Sequence, residues 1–417
     1  MSLSKLQPYK LVNLGGQLKT PVLVRVDINL PASKGQIEED ALRMRVYGHV
    51  LEMYSDYAGL VVMSHQGRKG GDDFTSFAPH CETLRKLLPP DMSVEFIPYD
   101  KIFTEETKKK IKSLKRRQIM LLDNMRYFEE EKKWNAEANT YVPFFKGIVQ
   151  SCVNDSIPTW HREDSSLMCL PYIAPTWIGL RSSYELRILQ EVINSKEPKA
   201  LIMGGAKIQK VQDLIKIAQT GVDIFTGGLP GQVIAKSRGY DLGEANNKFL
   251  AKKFSAEDFG EAKKLDSLLE GQGAHGLRHP IDFIIDDGGV RKAVKLEDLP
   301  KSKGEIRDIG PETLETYASA LQEKPLRIRA GPLGVYEQGY QNGLELTKRI
   351  SGDGLIFLGG DTSQELNAAG LLGHIEDSGG RICISGGSFL HGWAGGRFPP
   401  IEALMSLQGP LVPHSST

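Results

Sequence analysis

Leu355-Ile356-Phe357-Leu358-Gly359-Gly360-Asp361-Thr362 reads as a buried strand that stops abruptly at a turn. Four apolar residues are too few for a helix and suit a strand covered on both faces. The two glycines turn the chain, and Ser363–Ala369 has the composition of a helix that follows at once. A strand, a glycine turn and a helix N-terminus together make an anion site, because backbone N–H groups and the helix dipole converge there. Asp361 at that place repels a phosphate unless a cation lies between them. A magnesium–nucleotide supplies one, since magnesium takes a carboxylate or two plus phosphate oxygens. The bland reading is that Asp361 and Thr362 only cap the helix.

The same pattern recurs along the chain. Short apolar runs, each closed by glycine or a polar residue and followed by a helix-like segment, occur at Val22–Val26, Leu60–Met63, Val94–Ile97 and Ile119–Leu122. A second set occupies Ala200–Met203, Val222–Phe225, Ile281–Ile285, Arg327–Arg329, Leu355–Leu358 and Ile382–Ile384. Strands alternating with helices predict an α/β protein with two mostly parallel sheets, whose ligands sit beyond the carboxyl ends of the strands. Between the sets, Ser182–Asn194 carries an apolar stripe of Leu186, Ile188, Leu189, Val192 and Ile193, the signature of a helix joining two domains. The expected division is 1–181, a hinge over 182–198, 199–395, and a tail over 396–417.

A length of 417 residues exceeds one ordinary core, in agreement with two domains. The apolar share of 40% and charged share of 25% are those of a soluble globular chain. Lys plus Arg (52) equals Asp plus Glu (52), so no global field argues for nucleic acid or membrane. Cys81, Cys152, Cys169 and Cys383 are scattered, without metal spacing or a disulfide framework. No signal peptide or long apolar span is evident, and a cytoplasmic location is expected.

The first half offers cations after its strands: Asp27, Asn29 and then Arg43 after the first run, His65 and Arg68 after the second, Arg126 after the fourth, and His161-Arg162 farther on. On one rim they make a patch for a small, multiply anionic substrate, because guanidinium forks match carboxylate and phosphate oxygens in pairs. Asp27 and Asn29 suit a substrate hydroxyl. Each arginine taken singly reads as an ordinary surface residue; four at matching strand ends do not.

The second half offers glycine turns. Gly204-Gly205-Ala206-Lys207 places a lysine in a first helical turn, where a cation offsets transferring phosphoryl charge, although the spacing is not the Walker pattern. Thr226-Gly227-Gly228 lets a flat base lie near backbone, and Glu337, after Gly331-Pro332-Leu333-Gly334, suits ribose hydroxyls. Ser385-Gly386-Gly387-Ser388 is a further glycine turn.

Taken together, Val24–Asn29, Met63–Arg68, Asp123–Tyr127, Asn154-Asp155 through Arg162, Gly204–Lys207, Gly331–Glu337 and Gly359–Thr362 resemble phosphoglycerate kinases, in that family's order and over nearly the whole chain. Tyr240-Asp241-Leu242-Gly243 and the short connections are similar to the archaeal branch. The resemblance implies two Rossmann-like domains, 3-phosphoglycerate on the first and Mg2+ with ATP or ADP on the second, a hinge that closes, and a carboxyl-terminal tail returning to the first domain. It also implies a monomer or homodimer whose partners are these small molecules, with no nucleic acid and no membrane. By position it implies acid contacts at Asp27, Asn29, Arg43, His65, Arg68, Arg126, His161 and Arg162. Nucleotide contacts are implied at Gly204, Gly205, Lys207, Gly227, Glu337, Gly359, Gly360, Asp361 and Thr362, with Asp361 on magnesium and Arg43 and Lys207 as the catalytic pair. The chain departs from the family pattern at Val211, where many members carry a second lysine, at Ala330 (asparagine), at Ser388 (glycine) and at Asp164 (histidine). A paralogue phosphorylating another small carboxylate, and a binding protein without turnover, are the alternatives; Lys207 together with Asp361 argues against the second.

Overall fold

The computed structural model describes residues 18–206, 211–270 and 276–408. The chain divides into two units, Met1–Glu191 with Gly395–Thr417, and Val192–Ala394. The first boundary falls within a single helix, Leu180–Asn194, which begins two residues before the predicted start.

The first unit is built on six parallel strands in the order Ser93–Ile97, Gln118–Leu122, Leu60–Met63, Val22–Val26, Ser151–Asp155, Thr176–Ile178. Val22–Val26 is buried at every residue, as a parallel strand covered on both faces must be. Leu23, Val61, Met120 and Cys152 carry one face of the sheet into a core that continues through Ile102, Ile111, Phe145 and Leu170. Ser151–Asp155 escaped the sequence reading because Ser-Cys-Val-Asn-Asp is not an apolar run, although all five residues are buried. The helix Pro399–Gln408 also belongs to this unit: Phe398 packs edge-on against Trp160, and the Gln408 amide donates to the Pro171 and Ala174 carbonyls, each at 3.0 Å.

The second unit has six parallel strands in the order Leu277–Arg278, Asp223–Thr226, Lys199–Met203, Leu326–Ala330, Leu355–Leu358, Arg381–Cys383. Strand Leu355–Leu358 and helix Gly360–Ala368 stand where the sequence predicts them. One expected strand lies elsewhere. The Ile281–Ile285 run forms Asp282–Asp287 in a separate antiparallel sheet, between Val290–Lys295 and Glu305–Ile309. Gly288 and Gly289, both at positive φ, close a two-residue hairpin that forces the antiparallel return.

In each parallel sheet the chain crosses from one side of its first strand to the other, so that the strand order reverses between Val22–Val26 and Ser151–Asp155 in the first unit and between Lys199–Met203 and Leu326–Ala330 in the second. Beyond the carboxyl ends at these reversals lie the places where open α/β sheets bind ligands.

Candidate active site

In the first unit the rim is organised by a buried guanidinium. Arg25, fully buried, donates to the Ser166 hydroxyl (2.8 Å), the Val26 carbonyl and the Ser156 hydroxyl, and meets His65 Nδ1 at 3.1 Å. A guanidinium has no lone pair to offer, so Nδ1 accepts and the proton of the neutral imidazole sits on Nε2. Burial, followed by the charges of Arg25, Arg126, Arg162 and Lys132, holds the His65 pKa well below its usual 6.5. Nε2 lies 3.4 Å from Arg162 Nη1. Two donors therefore face one another there, an arrangement that an anion accepting from both would relieve.

Arg43 donates to Asp27 Oδ2 (2.8 Å) and to the Asn29 carbonyl (3.0 Å), which fixes it at the end of Val22–Val26. The Asn29 side-chain oxygen accepts from the Gly67 N–H at 2.9 Å, and Asp27 carries the Arg43 ion pair. Both acceptors expected for a substrate hydroxyl thus already hold protein donors. Asn124 ties the turn that bears Arg126 to the turn after His65, accepting from the Gln66 and Arg126 N–H groups at 3.0 and 3.1 Å. Arg126 is half-buried, and its Nε is buried with no hydrogen-bond partner among the described residues, which fits a site waiting for an anion. Burial first, then the neighbouring Arg162, lowers its pKa. Trp160 donates to the Asn154 side chain at 2.8 Å and so anchors the turn carrying His161 and Arg162, both partly buried. Arg68 is exposed, and its guanidinium makes no hydrogen bond or ion pair among the described residues.

In the second unit backbone replaces side chains. The Gly204 N–H donates to the Ala330 carbonyl (2.9 Å), Gly205 to Pro332 (2.5 Å), Gly227 to Met203 (2.8 Å) and Gly228 to Leu333 (2.9 Å). A Cβ at Gly204 would overlap the Pro332 carbonyl, so only glycine permits this approach. The Gly331 N–H donates to the Thr362 hydroxyl (2.7 Å), which in turn donates to the Leu358 carbonyl (2.8 Å). Gly359, at φ +92°, turns the chain from strand into helix Gly360–Ala368. Asp361 is exposed in the first turn of that helix and has no ion-pair partner among the described residues. It is therefore available to a magnesium ion that takes its other ligands from nucleotide phosphates and water. Among the described residues no group of three or more His, Cys, Asp or Glu side chains could hold a metal alone. Glu337 is exposed on a short 3-10 turn, Tyr336–Gln338. Lys207 lies outside the described residues. Ala330 is buried at its strand end and brings no side-chain amide to the rim.

The model of the family described as phosphoglycerate kinase matches residues 16–395. The chain belongs to the phosphoglycerate kinase family. It is 30% identical to phosphoglycerate kinase of Methanopyrus kandleri, over 92% of this chain and 94% of that one. It is 32% identical to phosphoglycerate kinase of Natronomonas pharaonis, over 92% and 96%. The crystal structure of phosphoglycerate kinase from Pyrococcus horikoshii OT3 superposes with a TM-score of 0.81 at 29% identity, covering 94% of this chain and 97% of that one.

Sequence reasoning missed the groups behind this phosphoglycerate kinase rim. Arg25 reads in sequence as part of a strand, and a charged residue inside Val-Leu-Val-Arg-Val is the available signal. Arg329 in Leu-Arg-Ile-Arg-Ala is its counterpart, buried with Glu365 at 2.6 Å. Lys132, whose ammonium lies 2.6 Å from the buried Asp164, carried no signal at all within Glu129–Lys133.

Proposed function

We propose that this enzyme transfers the γ-phosphoryl group of ATP reversibly to the carboxylate of 3-phosphoglycerate, giving 1,3-bisphosphoglycerate and ADP in glycolysis and gluconeogenesis. The observation that carries this reading is the paired donor edge of His65 Nε2 and Arg162 beside half-buried Arg126, whose Nε has no partner among the described residues. A carboxylate oxygen of the acid attacks the γ-phosphorus, the new C–O–P bond forms, and the β–γ P–O bond breaks to release ADP. The acid is already ionised at neutral pH, so no proton moves and no general base is required. Arg43 spans the reacting end of the acid, with the Asp27 carboxylate and Asn29 carbonyl holding its orientation. The first-turn N–H groups of helix Gly360–Ala368 face the nucleotide phosphates, the glycine turns let backbone come close, and Lys207 adds its charge there. Magnesium held by Asp361 would neutralise phosphate charge. The helix Leu180–Asn194, common to both units, is the proposed hinge. The four cysteines are all buried and free, which accords with a reducing, cytoplasmic setting, and no helix of the described residues is long and apolar enough to cross a membrane.

A coupled assay beside calorimetric titration of ADP and 3-phosphoglycerate tests this reading. Turnover with 3-phosphoglycerate supports it. Turnover only with another small carboxylate, or binding of both ligands without turnover, overturns it.

A further inference from the structure

The first unit carries a cation that the acid site as described so far does not use. Lys132 closes the short 3-10 turn Glu129–Lys132, a few residues after Arg126. That turn is fastened to the segment following Arg162. The Ser166 N–H and hydroxyl donate to the two oxygens of buried Glu131 at 2.9 and 2.7 Å, and Lys132 reaches Asp164 Oδ1 at 2.6 Å. Asp164 is buried and its second oxygen has no partner among the described residues, whereas half of the Lys132 side chain remains exposed. One N–H of the ammonium is spent on Asp164, and two remain.

We propose that Lys132 is a further substrate-binding cation, held by Asp164 beside Arg126 and Arg162, and that it contacts the phosphate of a phosphorylated acid rather than its carboxylate. This rests on the proposed acid site. Arg43 takes the reacting carboxylate end, which leaves the other cations for the far end of the molecule. There, among the described residues, Arg25, Arg126, Arg162 and Lys132 outnumber Glu131 and Asp164, His65 between them is neutral, and Asp27, 3.8 Å from His65, is already paired with Arg43. At least two positive charges are in excess, matching a phosphate dianion. Burial and the charges of Arg126 and Arg162 press the Lys132 pKa down while Asp164 pulls it up, so the ammonium stays among like charges only because Asp164 holds it. An exposed lysine without that tether would swing into solvent, since a loose surface pair contributes little.

Lys132→Met should raise the KM for 3-phosphoglycerate about tenfold, the worth of one charge-assisted hydrogen bond, and leave the KM for ATP and the kcat within threefold. Inhibition by unphosphorylated glycerate, competing through its carboxylate alone, should not change. Lys132→Arg should keep the KM within threefold. The decisive variant is Lys132→Met/Asp164→Asn. If Lys132 contacts phosphate, the double variant binds 3-phosphoglycerate as poorly as Lys132→Met. If Lys132 serves only to neutralise Asp164, removing both restores the wild-type KM and the proposal falls. It also falls if Lys132→Met leaves the KM for 3-phosphoglycerate unchanged. Should Lys132→Met fail to fold, Lys132→Gln, uncharged but still a donor to Asp164, carries the same expectations. If the wild-type enzyme does not turn over 3-phosphoglycerate, the proposed function fails separately. Lys132 is then judged by calorimetry with inorganic phosphate, which the Met variant must bind about tenfold more weakly.

Discussion

Arg25 and Arg329 stand in the same place in two different sheets. Each is the fourth residue of a five-residue strand, each lines the point where its strand order reverses, and each is buried. They are used in opposite ways. Among the described residues Arg25 touches only neutral groups, two serines, a carbonyl and an imidazole, and reaches Glu131 only through Ser166. Its charge therefore remains to act on the rim. Arg329 is consumed by Glu365 at 2.6 Å and by the Thr347 hydroxyl, and its rim carries glycine backbone instead. The proposed acid site of the first unit rests on side-chain charge, the proposed nucleotide site of the second on glycine turns and a helix N-terminus, and the buried arginine of each sheet follows that division.

The largest expected effect breaks the Arg329 arrangement. Arg329→Met leaves Glu365 as an unpaired buried carboxylate and should destabilise the second unit by about 3–5 kcal/mol, as loss of one partner of a buried pair does. Adding Glu365→Leu should recover most of that in a denaturant titration. No recovery would mean that Glu365 is not the group that Arg329 serves.

Arg43→Lys tests whether the first rim depends on the shape of its side chains as well as their charge. Lysine keeps the pair with Asp27 but loses the planar fork, and kcat should fall about 10²-fold or more, as when one oxyanion donor is removed. A variant within a few-fold of wild type in the coupled assay would make Arg43 a structural arginine.

On the backbone rim Asp361 is the side chain to change. Asp361→Asn should raise the magnesium concentration needed for half-maximal activity about tenfold and spare 3-phosphoglycerate binding, since it removes the one anionic ligand proposed for the ion. Asparagine caps a helix as well as aspartate, so an unchanged magnesium dependence would reduce Asp361 to a cap.

The last test concerns acid, and the two units should answer it with opposite signs. Burial lowers the His80 pKa from 6.5 to about 3 and holds His65 well below 6.5 as well. Below pH 6.5 the unfolded chain takes up these protons first, so the first unit loses stability as pH falls, by about 1.4 kcal/mol per pH unit for each histidine. Burial raises Asp308 in the second unit from 3.8 to about 6, against N–H bonds from Ile309, Asn342 and Gly343 that favour its ionised form. Its contribution is full below pH 3.8 and is lost as pH rises through about 6. Thermal unfolding from pH 4 to 7 should show a shallower acid limb in His80→Phe and a steeper one in Asp308→Asn. Equal slopes in all three proteins would contradict both assignments.

Most of the framework was legible because parallel strands buried on both faces must be short apolar runs, as Leu60–Met63 and Leu355–Leu358 are. The rims were legible because chemistry in such sheets follows the strand ends, where Arg43, His65 and Gly359 stand. Three things were not. Ser151–Asp155 is buried by its neighbours and not by its own apolarity. Asp282–Asp287 has strand composition, but its partners are decided by the Gly288-Gly289 turn. Lys132 and Asp164 are 32 residues apart, and only the fold makes them neighbours.

The chain re-enters the first unit at Gly395, so that unit is assembled from two stretches separated by the whole of Val192–Ala394. On a ribosome, the sheet carrying the proposed acid-binding arginines emerges early, while Phe398, Ile401 and Leu404, all buried in this unit, are made only after the whole of Val192–Ala394. The nascent first unit therefore waits, with the surface around Trp160 uncovered, through the synthesis of the entire second unit. Chaperone contact and vulnerability to proteases should concentrate there during that interval, and moving Pro399–Gln408 to the front of the chain by circular permutation should shorten it.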